Sequence, residues 1–166
     1  MNRKSAILLA SVTVFILALT LVSLTATPAH STLKVKLNYT GAGIVDEQHK
    51  IYVLLFDANP YTASSLVDST SDPTPPAPAA GVSHIVRRQS ASSKKEAITF
   101  YNLSASPVYA AAFFDKDGSY DSHSPMAAGA PMGVHGKAPD KAKPIKLRAG
   151  KAVEVVLAFD DSIKAP

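Results

Sequence analysis

What most constrains this chain is a succession of short segments with alternating apolar residues, none longer than a β-strand and none with a helical period. In "TLKVKLNYTG", Leu33, Val35, Leu37 and Tyr39 fall on one face, with Lys34, Lys36 and Asn38 on the other. Side chains alternate across a strand with a period of two, so the segment predicts a half-buried strand ended by Gly41. "KIYVLLFD" is apolar on both faces and rich in β-formers, as a central strand is. "AITFYNL", "VYAAAFFD", "KPIKLRA" and "KAVEVVLAFD" follow, and the last two are predicted to join as a hairpin through Ala149-Gly150-Lys151. A series of this kind buries its apolar faces as an all-β fold. The expectation is a single Ig-like or transthyretin-like Greek-key β-sandwich of about seven strands over residues 32–166.

One stretch resists that pattern. Residues 64–97 contain Pro73, Pro75, Pro76 and Pro78 among many serines. Proline lacks an amide donor and fixes φ, so a flexible surface loop is predicted there. Within it "GVSHIVRR" alternates and predicts an edge strand, with His84 an ordinary edge residue. Arg87, Arg88, Lys94 and Lys95 form a basic cluster expected to lie in solvated loop.

The first 31 residues differ from all the rest. Arg3 and Lys4 precede an apolar run from Ser5 to Ala26, and Ala29-His30-Ser31 puts small residues where an export peptidase reads, with a cut before Thr32. The run, at about 20 residues, is also long enough to span a bilayer, so residues 1–31 are expected to be a signal peptide or a membrane anchor (residues 5–26). Either places the body outside the cytoplasm, periplasmic or extracellular, with membrane contact through this segment if it is not removed. The chain has no cysteine, so no disulfide can staple the exported domain and its stability must come from an apolar core. Lys and Arg total 17 against 13 Asp and Glu. A surplus this small, spread along the chain, argues against a nucleic-acid partner.

In the carboxyl-terminal half, Asn102-Leu103 leads to Tyr109 and an alanine-rich strand. Asp115-Lys116-Asp117-Gly118 with Asp121 follows, and then Gly129-Ala130-Pro131-Met132-Gly133. This order resembles a group of exported bacterial β-sandwich domains of unknown function, akin to transthyretin-like and carboxypeptidase-regulatory-like sandwiches. The resemblance implies a sandwich that serves as an adhesion, carrier-binding or accessory module. Two departures stand out: Ser104-Ala105-Ser106-Pro107 replaces the family's Pro-x-Gly before the tyrosine, and the acidic turn is shorter.

Two clusters carry the candidate chemistry. Asp115, Asp117 and Asp121 in "DKDGSYD" are spaced to present carboxylates to a calcium ion, with Gly118 reversing the chain, although the run lacks the later acidic ligands of an EF-hand. The same residues serve a turn closed by its own backbone. In "HSPMAAGAPMGVH", two residues separate His123 from Met126, five separate Met126 from Met132, and two separate Met132 from His135. Imidazole and thioether together are a soft donor set suited to copper, and the competing expectation is a loop whose methionines pack over the sandwich edge. No nucleophile elbow, zinc-protease pair or phosphate-binding glycine loop occurs, and His49 beside Glu47 has no nucleophile tied to it by sequence. Tyr61 and Tyr120 are the loop tyrosines suited to stacking on a sugar ring. The sequence therefore predicts a non-enzymatic binding or accessory module of the cell envelope, with an envelope protein or surface ligand as partner and calcium as a candidate stabiliser. The alternative is an envelope copper-handling protein.

Overall fold

The computed structural model describes residues 30–71, 79–104, 106–121 and 126–165. Among the described residues there are eight strands: β1 (Ser31–Tyr39), β2 (Ile51–Phe56), β3 (Ser65–Asp68), β4 (Val82–Ala91), β5 (Ala97–Leu103), β6 (Tyr109–Phe114), β7 (Met132–Val134) and β8 (Ala152–Phe159), with one 3-10 turn at Pro139–Lys141. They form a three-stranded sheet in the order β5-β1-β8 and a five-stranded sheet in the order β3-β4-β2-β6-β7. The protein is a β-sandwich. The predicted signal or anchor lies outside the described residues, apart from its last two. Among the described residues no helix is long and apolar enough to cross a membrane.

The alternation in β1 gives the sandwich its inner face. Leu33, Val35, Leu37 and Tyr39 are buried against Ile51, Val53 and Leu55 of β2, Ile98 and Phe100 of β5, Ala110, Ala112 and Phe114 of β6, and Leu157 and Phe159 of β8. Each Val, Leu, Ile or Phe among them, fully buried, contributes about 1.5–3 kcal/mol by transfer from water, which is where a chain without disulfides finds its stability. The other parity of β1 and β8 is solvated, with Lys36 Nζ 2.6 Å from Glu154 Oε1 on the outer face.

β8 does not form the predicted hairpin with "KPIKLRA". It pairs in parallel with β1 over eight residues, from Thr32 with Ala152 to Tyr39 with Phe159. The "KPIKLRA" segment contributes only a bridge between Ile145 and Val108, because Pro144 has no amide to give a ladder. The expected edge strand is also corrected. β4 is internal, between β3 and β2, since Ser83, His84, Ile85 and Val86 are all buried and no proline interrupts it. The described part of residues 64–97 thus holds β3 and β4, and the proline-rich run 72–78 lies outside the described residues.

The five-stranded sheet has a second apolar layer on its outward face. Leu54, Phe56, Ile85, Ala111, Phe113, Met132 and Val134 are covered there by Met126, Ala130 and Ala165, with Tyr52, Tyr61, Tyr120 and Ile163 packed around them. The carboxyl-terminal tail closes this layer like a further strand. Gly129 N donates to Ala165 O at 3.0 Å, Ala165 N to Ala130 O at 2.8 Å, and Met132 N to Ile163 O at 2.9 Å. Gly133 lets β7 approach β8, because a Cβ at this position would stand 2.3 Å from Phe159 Cβ.

Candidate functional site

The acidic turn starts where β6 ends. Asp115 is buried, with 3% of its surface exposed. Its carboxylate accepts the amides of Ser119 (3.3 Å) and Tyr120 (3.1 Å), and its own amide donates to Lys50 O at 2.9 Å. The turn is thereby closed by a side chain binding its own backbone. Gly118 is required there: its φ is +64°, and a Cβ would lie 2.9 Å from Gln48 O. Asp117 and Asp121 are exposed. Among the described residues no three His, Cys, Asp or Glu side chains converge as a metal site would need. The predicted calcium trio therefore separates into one buried carboxylate that binds amides and two on exposed residues.

Between this turn and the 126–131 loop runs a groove of about 530 Å³, with Lys116, Asp117, Tyr120, Asp121, Met126, Pro131 and Lys164 in its lining. Its floor is rigid. Tyr120 packs edge-on against Tyr52 (4.6 Å between centroids) and Phe113 (4.8 Å), while Tyr52 stacks on Phe113 at 5.4 Å. Arg88 lies over the Tyr120 ring at 5.7 Å and is held by Asp68 at 2.8 Å. Burial raises the Tyr120 hydroxyl above the usual phenol range.

The methionine segment is divided. Met126 and Met132 are both buried, at 8% and 1% exposed, and each sulfur lies 3.7 Å from Tyr61 Oη. Tyr61 is accordingly half-buried, with its polar end turned inward rather than offered to a sugar. His135 stands one residue past β7, its amide donating to Ala110 O at 2.8 Å. It is three positions from Met132 along the chain, on the opposite parity. His123 lies outside the described residues.

The remaining histidines and the basic cluster also fall differently than expected. His84 is not a plain edge residue. Its Nδ1 lies 2.6 Å from Asp57 Oδ2, and its amide donates to Asp57 Oδ1 at 2.7 Å, with both side chains about nine-tenths buried. His49 pairs with Asp46, not Glu47, at 2.9 Å, and the amides of Gln48 and His49 hold the Asp46 carboxyl below its usual range. Arg87 and Arg88 belong to β4 instead of a loop, and Lys94 donates to Gly41 O at 2.8 Å.

Sequence reasoning missed Lys164, Tyr52, Asp57 and β7. Met132-Gly133-Val134 does alternate, which was a usable signal, while its register with Phe113, Ala112 and Ala111 is set by the fold. Lys164 reaches the groove only through the tail pairing, which leaves no local trace. No known protein family, no curated protein and no solved structure matches the chain.

Proposed function

We propose that this chain is an exported, non-catalytic β-sandwich of the cell envelope that binds a partner through the groove between its acidic turn and its 126–131 loop. The observation that carries the reading is the groove itself: about 530 Å³, within the range of ligand-binding clefts, on a floor fixed by an aromatic cluster and by a buried carboxylate. Its lining carries carboxylates at Asp117 and Asp121 and ammonium groups at Lys116 and Lys164. A partner with both charges and an apolar portion between them complements it, and an extended peptide segment has that chemistry. The resemblance of the carboxyl-terminal half to transthyretin-like and carboxypeptidase-regulatory-like sandwiches supports the same reading, since those domains serve as adhesion, carrier-binding or accessory modules. Calcium is not needed to hold the turn, because the Asp115 carboxylate already ties the amides that a metal-bound loop would have to order.

The test is a peptide array of mixed, acidic and basic sequences probed with the wild-type chain, Tyr120→Ala and Asp117→Lys. Mixed-charge peptides are expected to bind the wild type and to lose affinity for both variants. Binding that both variants keep, or retention of no peptide by the wild type, would sink the proposal.

A further inference from the structure

We infer that Met126 and Met132 form a site for a soft monovalent metal ion, Cu(I) or Ag(I), bound through their two thioether sulfurs beside Tyr61. Both sulfurs lie 3.7 Å from one oxygen, Tyr61 Oη, so they are separated by no more than twice that length. They are the chain's only methionines besides Met1, and the fold draws them together from a strand and a loop. Met132 is pinned on β7 opposite Phe113. Met126 reaches the same point beneath the tail residue Ala165.

A thioether is uncharged and polarizable, so it favours soft ions over calcium or magnesium. Methionine is also unbranched and flexible, and the two sulfurs can close on an ion by rotating their own side chains. The Tyr61 hydroxyl, within 3.7 Å of both sulfurs, can donate its one proton to either of them. Met126 also lines the groove, which provides a path inward from solvent. The site keeps the two methionines of the predicted copper set and dispenses with His135, which β7 carries away from them. It stands independently of the partner-binding reading.

Silver(I), as nitrate in chloride-free buffer, and Cu(I), under anaerobic conditions against a competing chelator, are titrated into the full chain. The same titrations are made with Met126→Leu, Met132→Leu, Tyr61→Phe and Asp121→Asn. Leucine preserves the volume and apolarity of methionine, so both variants should fold, and circular dichroism verifies that they do. The expected result is saturable binding of one ion, weakened at least about tenfold by either leucine substitution. Asp121→Asn should leave it unchanged, and Tyr61→Phe should retain it, because removing the hydroxyl leaves the sulfur lone pairs available. Absence of saturable binding by the wild type, binding that both leucine variants keep, or abolition by Tyr61→Phe in a folded protein would overturn the assignment.

Discussion

Replacing Asp115 by alanine separates a turn closed by its own hydrogen bonds from one that depends on calcium. The carboxylate accepts two amide bonds, at 3.3 and 3.1 Å. Both are long for charge-assisted contacts, and Ser119 is exposed while Tyr120 is partly so. Water can therefore rehydrate the released amides, and each bond is worth about 1 kcal/mol rather than the larger figure for a fully buried charged acceptor. Asp115→Ala should lower stability by about 2 kcal/mol. For a domain of this size that corresponds to a fall of about 6–8 °C in melting temperature. Asp115→Asn, which keeps one acceptor oxygen, should cost about half as much, and Asp117→Ala, on the exposed side of the turn, less than about 0.5 kcal/mol. Urea unfolding followed by tyrosine fluorescence is a suitable assay, since the chain has no tryptophan and Tyr120 is anchored by this turn. Each variant is measured with chelator and with calcium. The reasoning is refuted if Asp115→Ala is as mild as Asp117→Ala, or if calcium stabilises the wild type and Asp115→Ala removes that gain.

Three further outcomes follow from the packing. Gly133→Ala should destabilise by about 1–3 kcal/mol through overpacking of β7 on Phe159, read as a lower urea midpoint with an unchanged slope; an unaffected midpoint would mean that the two strands are not so close. His84→Ala removes the Nδ1 contact of the largely buried Asp57 carboxylate while the backbone amide bond to Oδ1 stays, and should cost about 1.5–3 kcal/mol, whereas His84→Ala with Asp57→Ala together should cost less than the sum, a coupling that a double-mutant cycle measures. The Tyr39 hydroxyl, 2.6 Å from Asp161 Oδ1, and the Ala42 amide hold the Asp161 carboxyl below its ordinary 3.8. A depressed folded-state pKa gives stability that is present above the unfolded value and is lost as pH falls through the folded one. Asp161→Asn should therefore flatten the acid side of the stability profile below about pH 4, and an unchanged acid slope would contradict that contact.

What was legible in the sequence was the set of strands whose alternation matches the side of the sheet they bury. β1, β2, β5, β6 and β8 each show either strict period two or an apolar run on both faces, because their partners cover one face or both. Strand pairing was not legible. Nothing in "KAVEVVLAFD" says that its partner is the first strand rather than the adjacent segment, since Val153, Val155, Leu157 and Phe159 would face inward with either neighbour. β4 was mistaken for an edge because its alternation, with Ser83 and Arg87 on one face, falls inside a proline- and serine-rich run. Ser83 and His84 are buried only because Ser83 donates to Ala58 O and His84 is matched by Asp57, both residues beyond the end of β2. The candidate site was read in part. Asp115 and Gly118 were singled out correctly as a turn, but which carboxylate turns inward depends on amides that the sequence does not position. The two methionines were singled out for their spacing, while Tyr61, which brings their sulfurs to one point, lies 65 residues from Met126 and has no periodicity linking it to them.

The central claim is that this sandwich engages a partner at the groove beside the acidic turn. Its most direct test is an amide chemical-shift map of the chain as the tightest-binding mixed-charge peptide is added. The account predicts that the shifts concentrate in residues 115–121 and 126–131 and at Lys164, with Tyr120 among the largest. Shifts centred instead on the open face of the three-stranded sheet, around the exposed Tyr101 and Val156, would contradict it.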